Sequence, residues 1–259
     1  MTLLAGTVVV VSGVGPGLGR SIALASARAG ADVVLAARTA PRLDEVAKEV
    51  TALGRRGVAV PTDITDEESA ARLARAALAA FGRVDTLVHN AFAIPPLTSL
   101  ADADLDAIRA AVETNAVAAL RLTRLFTPAL AASRGSVVMI NSAVLRHSRP
   151  GFGGYKMAKA AQLALAQSLA TELGPEGIRV NSVAPGYIWG GSLKWYFGFL
   201  ARQRGVDAQQ VYDETAATTD LRRLPEPGEV ADAVVFLASP MARAITGQCL
   251  GVDCGEYHR

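Results

Sequence analysis

The sequence predicts an α/β fold, a doubly wound parallel sheet of about seven strands with helices on both faces. Two observations lead to this prediction. Short apolar segments alternate with helical segments along the 259 residues, as in strand–helix–strand units with right-handed crossovers. Several of the apolar segments are continuous runs of β-branched and aliphatic residues without polar alternation, which is typical of strands buried on both faces.

The predicted elements follow one another in a regular order. Strands are expected over residues 7–12, 32–37, 57–61, 86–90, 136–141, 179–184 and 247–252. Helices are expected over residues 18–29, 41–53, 66–81, 102–131, 155–173 and 227–238. Thr65 followed by Glu68 has the pattern of a capping box, and Pro41 and Pro227 suit first helical turns. Residues 187–224 break the rhythm, so we predict one domain over residues 1–259 with a functional insertion at 187–224.

The composition excludes several classes of protein. Hydrophobic residues make up 51% of the chain, charged residues 19%, and the net charge of +2 is scattered rather than clustered, which gives no nucleic-acid-binding surface. No apolar run reaches the length of a membrane span. The two cysteines, Cys249 and Cys254, lack the spacing of metal ligands or of a disulfide framework. We therefore expect a cytoplasmic protein without a metal, nucleic-acid or membrane partner.

The glycine-rich turn after the first predicted strand has the context of a dinucleotide-binding site. Glycine lets the backbone approach a pyrophosphate, and the following helix N-terminus offers free N–H groups. The spacing is G-x-x-x-G-x-G instead of G-x-G-x-x-G, and its position between strand and helix disfavours the alternative of a merely flexible loop. The residues expected to hold the pyrophosphate are Gly13, Gly15, Pro16, Gly17, Leu18 and Gly19.

The end of the second predicted strand bears on the choice of dinucleotide. An acidic residue there accepts a hydrogen bond from the 2′-hydroxyl of NAD, but the strand ends in Ala37 and Arg38. An arginine can pair with the 2′-phosphate of NADP, so the sequence favours NADP(H) over NAD(H). The alternative is that Arg38 is a solvated arginine at a strand end without a role in cofactor binding. The glycine turn contains no second basic residue to pair with the phosphate, because Val14 stands there.

Tyr155 and Lys159 are four residues apart in a predicted helix. This spacing places a phenol and an ammonium group on one helix face. A cation beside a phenol favours the phenolate, so the pKa of Tyr155 is expected to fall toward the range of a general acid/base. The pair alone is weak evidence for catalysis, because both residue types are common on helix surfaces.

Taken together, these motifs resemble the short-chain dehydrogenase/reductase family over essentially the whole chain, in a Rossmann-type domain. The resemblance identifies Asn115, Ser142, Tyr155 and Lys159 as a catalytic tetrad, with Tyr155 exchanging the proton and Ser142 binding the substrate oxygen. It implies that Lys159 holds the nicotinamide ribose and that Asn115 orders a water. It also assigns cofactor contacts to Asp63, Ile64, Asn90, Ala91 and, after Pro185 and Gly186, Ile188.

Three residues depart from the family pattern. Phe92 and Cys254 replace glycines, and Gly190 stands where a threonine often contacts the nicotinamide. The ring of Phe92 is expected to wall the pocket beside the cofactor. The resemblance further implies a homodimer or homotetramer.

The insertion carries the information about substrate. Residues 187–200 hold both tryptophans, with Gly190, Gly191 and Gly198 as expected hinges. Such a segment is expected to close over an apolar pocket, with Val144, Tyr187 and Trp195 as substrate contacts. The alternative is an aromatic cluster that packs on the core or on a neighbouring subunit.

The expected function is that of a ketoreductase, an NADP-favouring enzyme that interconverts a small-molecule ketone and a secondary alcohol on a bulky hydrophobic or cyclic substrate. One alternative is a 3-oxoacyl-thioester reductase acting on an acyl carrier protein. Enoyl reduction is disfavoured, because related enzymes for that reaction separate the tyrosine and lysine more widely. A non-catalytic nucleotide-sensing protein on the same fold is an alternative of a different class.

Overall fold

The computed structural model describes residues 2–258. Its centre is a seven-stranded sheet of order β3-β2-β1-β4-β5-β6-β7 in which every neighbouring pair is parallel. This confirms the predicted doubly wound sheet and places the reversal of strand order between β1 and β4. The strands are β1 (Val8–Ser12), β2 (Asp32–Ala37), β3 (Gly57–Pro61), β4 (Thr86–His89), β5 (Ser136–Ile140), β6 (Arg179–Pro185) and β7 (Cys249–Val252).

Helices cover both faces of this sheet. One face packs against α1, α2 and α9, and the opposite face against α3, α5 and α6. Val9 and Val11 of β1 enter the first cluster, whereas Val8 and Val10 enter the second, so the unbroken valine run is explained by burial on both sides. The helices are α1 (Leu18–Arg28), α2 (Ala40–Ala52), α3 (Glu67–Phe81), α4 (Leu105–Val112), α5 (Ala118–Ser133), α6 (Gly153–Leu173), α7 (Gly191–Arg204), α8 (Ala208–Ala216) and α9 (Pro227–Ala238).

The long helix predicted over residues 102–131 is interrupted. A π-helical turn, Glu113–Val117, separates α4 from α5. Asn115 lies in this turn, and its Nδ2 donates to the carbonyl oxygens of Ala111 and Ala93, both at 2.8 Å. The side chain thus bonds a carbonyl of the preceding turn, and such turns often mark functional positions in helices.

The expected capping box at the start of α3 is wrong. The N-cap is Asp66, whose carboxylate accepts from the N–H of Ser69 at 2.7 Å. The hydroxyl of Thr65 instead donates to the carboxylate of Asp63 at 2.7 Å. The capping box that does form belongs to α9, between Glu226 and Glu229.

The insertion at 187–224 folds into α7 and α8 around a small core of its own. Phe197, Ala201, Val211 and Leu224 are its buried members, and the Trp189 ring lies 4.5 Å from that of Tyr212. Gly190 is the N-cap of α7 and Gly191 its first residue. Gly198 lies inside α7, so the expectation of a hinge there is wrong.

Residues 2–258 lack two kinds of feature. None of the described helices combines the length and apolar character needed to cross a lipid bilayer. Nor does this part of the chain bring together three or more His, Cys, Asp or Glu side chains in a way that could hold a metal ion.

His89 at the end of β4 gives the fold an acid-sensitive group. The Thr123 hydroxyl donates to the carbonyl of Ala119, so it accepts from Nε2 of His89 at 2.8 Å. Nδ1 of His89 is buried and has no hydrogen-bond partner among the residues described. Burial lowers the pKa of His89 from 6.5 to about 4, since the cation cannot be hydrated there.

This predicts a loss of stability in mild acid. Between pH 6.5 and 4 the unfolded chain binds the proton that folded His89 excludes, so the free energy of unfolding falls as pH falls through this window. We expect His89 to account for about 2 kcal/mol of loss between pH 7 and 4.5. Urea denaturation at both pH values measures it, and His89→Gln, which keeps a donor for Thr123, should show a drop smaller by that amount. Equal drops in the two proteins would contradict the assignment.

Candidate active site

The glycine turn and the loop after β4 meet at the carboxyl edge of the sheet, where the strand order reverses. Gly13 has φ of +78°, and a Cβ there would lie 2.4 Å from the backbone nitrogen of Ala91. A Cβ on Gly19 would lie 2.3 Å from the carbonyl oxygen of Gly13. That same carbonyl accepts from Nδ2 of Asn90 at 2.7 Å. Two of the glycines are therefore required by backbone contact within the protein.

The other two glycines leave room for a ligand. No protein atom lies within 4 Å of a Cβ built on Gly15 or Gly17. Gly17 is also the N-cap of α1, without a side-chain cap, so the first N–H groups of the helix lack an acceptor from a capping side chain. Open backbone and a helix N-terminus together form a cradle that fits a pyrophosphate.

Two cavities flank this cradle and together contain every residue predicted to contact the cofactor. The first, of about 340 Å³, contains Ser142, Tyr155 and Lys159 of the predicted tetrad. The second, of about 370 Å³, lies toward β2 and β3. Gly13, Gly15, Asn90 and Phe92 line both. Of the predicted contacts, the first cavity adds Pro16, Gly17, Leu18, Gly19, Tyr155, Lys159 and Ile188, and the second adds Arg38, Asp63, Ile64 and Ala91.

The second cavity holds a basic residue that sequence reasoning missed. Arg42, on the first turn of α2, lines the cavity together with Arg38. The signal was available, because the helix start at Pro41 places Arg42 one turn after Arg38. The carboxyl of Asp63 lies in the same cavity. Hydrogen bonds from Thr65 and, more weakly, the charge of Arg38 lower its pKa, so Asp63 stays ionised.

The first cavity brings three members of the predicted tetrad together. Ser142 follows β5 and accepts from the N–H of Val144 at 3.2 Å, which caps a short 3₁₀ turn. Tyr155 and Lys159 lie one turn apart near the start of α6. All three line the cavity.

The expected direction of the Tyr155 pKa is wrong for the protein without ligand. Burial raises the pKa of Tyr155, and the nearby side chain of Ser142 only partly offsets this. Lys159 contributes little because its Nζ lies 6.0 Å from the centre of the Tyr155 ring and burial lowers its own pKa to about 7. Tyr155 is therefore a protonated phenol at neutral pH, the form needed to donate a proton.

Asn115 lies behind this cavity instead of lining it. Both hydrogens of its Nδ2 are used by backbone carbonyls. Its Oδ1 is buried and has no protein partner between residues 2 and 258. A buried acceptor of this kind fits an ordered water, in keeping with the role that the family resemblance implies for Asn115.

The three predicted substrate contacts lie outside this cavity. Val144 is buried in the 3₁₀ turn, and Tyr187 packs against Phe197 in the core of the insertion. Trp195 is 70% exposed and stacks on Phe199. The aromatic residues of the insertion thus mainly pack on one another. The residues of the insertion that do line the cavity are Gly190, Gly191, Ser192 and Leu193, at the start of α7.

The C-terminal segment braces the loop that follows Ser142. The guanidinium of Arg146 pairs with Asp253 at 3.3 Å, both side chains being largely buried. Arg149 pairs with Glu256 at 3.1 Å and donates to the Tyr257 hydroxyl at 2.9 Å. Cys254, which replaces a family glycine, has φ of +56°, so the backbone keeps the left-handed conformation usual for glycine.

A comparison with known families agrees with this geometry. Residues 13–257 match the model of a family described as enoyl-(acyl carrier protein) reductase, and curated dehydrogenases align over nearly the full chain. The chain belongs to the short-chain dehydrogenase/reductase family. It is 33% identical to the 7α-hydroxysteroid dehydrogenase of Escherichia coli, covering 97% of this chain and 94% of the relative. It is 35% identical to the cis-4-hydroxycyclohexanecarboxylate dehydrogenase of Sinomonas cyclohexanicum, covering 96% and 95%.

Solved structures of family members are also similar. A 7α-hydroxysteroid dehydrogenase complexed with NADH and 7-oxo glycochenodeoxycholic acid matches with a TM-score of 0.88 and 32% identity, covering 98% of this chain and 95% of the other. The L-sorbose reductase of Gluconobacter frateurii, complexed with NADPH and L-sorbose, matches with a TM-score of 0.92 and 29% identity, covering 99% and 98%. These short-chain dehydrogenases/reductases act on hydroxyl or carbonyl groups and bind nicotinamide cofactors of both kinds.

The glycines of the cradle predict two different effects of the same substitution. Gly13→Ala places a methyl group inside the backbone of the β4 loop, so we expect a loss of several kcal/mol of stability or failure to fold. Gly17→Ala fills only open space, so the free energy of unfolding should change by less than about 1 kcal/mol while dinucleotide binding weakens. Thermal denaturation and fluorescence titration with NADPH separate these effects. Equal stability of the two variants would contradict the proposed roles of the glycines.

Proposed function

We propose that the protein is an NAD(P)-dependent oxidoreductase that interconverts a ketone and a secondary alcohol. One observation carries this proposal: Ser142, Tyr155 and Lys159 line the same cavity as the glycine cradle. A substrate carbon held there would lie beside both a nicotinamide and a proton donor.

Each side chain has a distinct task in this mechanism. The nicotinamide, when bound, supplies or accepts the hydride. In the direction of reduction, the phenol of Tyr155 gives its proton to the carbonyl oxygen of the substrate, and the hydroxyl of Ser142 donates a hydrogen bond to that oxygen as negative charge develops. Lys159 holds the cofactor ribose, and Asn115 holds a water that returns the proton.

The basic residues of the second cavity support a preference for NADP(H). Arg38 and Arg42 give two guanidinium groups at the wall of one cavity. A 2′-phosphate carries about two negative charges and accepts bidentate hydrogen bonds, whereas a 2′-hydroxyl gains little from two cations. Arg42 supplies the second basic residue that the glycine turn lacks.

The walls of the first cavity support a bulky hydrophobic or cyclic substrate. Phe92, Ile188 and Leu193 line it, and the Phe92 ring is 57% exposed. A steroid and a cyclohexane carboxylate occur in the names of two relatives. The start of α7 borders the cavity, so we propose that residues 187–224 act as a lid through Ser192 and Leu193.

The alternatives receive less support. A 3-oxoacyl-thioester reductase needs a site for a carrier protein, and the name of the matching family model is a label for the family as a whole. Enoyl reduction is disfavoured by the four-residue separation of Tyr155 and Lys159, which the structure keeps to one helical turn. A nucleotide sensor has no need of a buried proton donor. We further propose a cytoplasmic homodimer or homotetramer.

The proposed mechanism predicts that Tyr155→Phe abolishes turnover and leaves the cofactor site intact. Removal of the phenolic proton should lower kcat by roughly 10²- to 10⁴-fold. The assay follows NADPH oxidation with a panel of cyclic and open-chain ketones, and NADPH binding measured by fluorescence is the control. Turnover that survives the substitution would contradict the mechanism, and activity confined to small open-chain ketones would contradict the substrate class.

The two arginines predict a change in cofactor preference. Loss of either guanidinium should weaken NADPH binding by about 1–3 kcal/mol, because a charge-assisted hydrogen bond is lost, and leave NADH almost unaffected. KM for both cofactors, measured in Arg38→Ala and Arg42→Ala, tests this. Arg72→Ala, on the exposed surface of α3, is a matched control. A wild-type protein that prefers NADH would overturn the proposal.

A further inference from the structure

A glutamine lies beside the active-site lysine in the protein core. Gln162 is completely buried, one turn after Lys159 on the inner face of α6. Its Oε1 accepts from Nζ of Lys159 at 2.9 Å. The same Nζ donates to the carbonyl oxygen of Ile140, at the end of β5, at 2.8 Å. Two of the three hydrogens of the ammonium are therefore held by the protein.

The amide nitrogen of Gln162 makes no hydrogen bond with the described residues. This nitrogen, Nε2, is buried. Ala158 and Ala166, one turn to either side, are buried and apolar, and Ala166 belongs to the hydrophobic cluster of this face. A buried amide with an unpaired donor destabilises a core, so an apolar side chain would be the more stable choice. A residue that breaks the local packing rule in contact with an active-site group indicates a functional role.

We propose that Gln162 is a positioning residue that holds the ammonium group of Lys159 between β5 and α6. This inference rests on the proposed function, because it assumes that Lys159 acts on the cofactor. With Nζ fixed by Gln162 and Ile140, one hydrogen remains for a ligand. The lysine side chain is thus restrained before the cofactor arrives, which lowers the entropy lost on binding.

The same contact stabilises the charge of Lys159. Burial lowers the pKa of Lys159 to about 7, so at neutral pH the group is poised between ammonium and amine. The ammonium group of Lys159 cannot accept a hydrogen bond from Nε2 of Gln162, so the amide turns its Oε1 toward the lysine. An oxygen acceptor in this position favours the charged form of Lys159. Without Gln162 the lysine would lose its proton at lower pH.

Few other charges reach Lys159. Tyr155 is the titratable side chain on its own helix face, and the Phe92 ring lies 5.8 Å from Nζ. Four charged groups on elements packed against α6 have partners of their own: Asp106 pairs with Arg109, Glu113 with Arg121, Arg146 with Asp253, and Arg179 with the carbonyl of Leu237. A fifth, Glu176, follows the C-terminal end of α6, far along the helix from Lys159. Gln162 is therefore the side chain best placed to control the protonation of Lys159.

Titration of the lysine side chains tests this directly. The chain contains four lysines, Lys48, Lys156, Lys159 and Lys194, so the spectrum of protein labelled with ¹³C at the lysine Cε is simple, and Lys159→Arg assigns the resonance. In cofactor-free protein we expect a Lys159 midpoint near 7. Gln162→Met should lower this midpoint by about one pH unit or more. Gln167→Met, at an exposed position of the same helix, should leave it unchanged.

A second variant guards against misfolding of the first. Gln162→Glu places a carboxylate beside the ammonium and should raise the Lys159 midpoint. The pH profile of kcat should move in the same direction as the midpoint in each variant, with a larger effect on kcat than on the KM for ketone. Midpoints equal to that of the wild type in both variants would overturn the inference. A wild-type protein without NAD(P)-linked activity would overturn the proposed function, and the titration would still decide the role of Gln162.

Discussion

The contact between the glycine turn and the β4 loop is the constraint on which the active site depends. A methyl group on Gly13 would collide with the backbone of Ala91, and a methyl group on Gly19 would collide with the carbonyl of Gly13. The amide of Asn90 closes the contact with a hydrogen bond to that carbonyl. This junction joins β1 and β4 where the strand order reverses, and it leaves the N-terminus of α1 open to a ligand.

The side chains of the predicted tetrad reach the same place from the neighbouring strands. Ser142 follows β5, and Tyr155 and Lys159 stand at the start of the helix that follows it. The π-helical turn that holds Asn115 packs against α6. Burial then sets their protonation: Tyr155 keeps its proton, and Lys159 titrates near neutral pH. The site is a desolvated cluster in which burial shifts the pKa values of its two titratable groups in opposite directions.

The sheet and the glycine turn after β1 could be predicted from the sequence, because each depends on local rules. Unbroken valine runs indicate strands buried on both faces, and glycines between strand and helix indicate a phosphate site. The aromatic insertion shows where such rules fail. Trp195 was expected to contact the substrate because it lies in an aromatic segment, yet its side chain is exposed. The core formed by α7 and α8 is already filled by Trp189, Phe197 and Tyr212.

The sequence by itself determined the order of elements, the spacing of Tyr155 and Lys159 and the family, since these follow from periodicity and motif. Only the tertiary structure decided the electrostatics. The distance between Lys159 and Tyr155, the burial that lowers one pKa and raises the other, and the amide of Gln162 all depend on how α6 packs against β5. The burial of Tyr155 and Lys159 depends on residues that are distant in the chain, as does the bond from Lys159 to Ile140, so a local sequence pattern does not predict their pKa values.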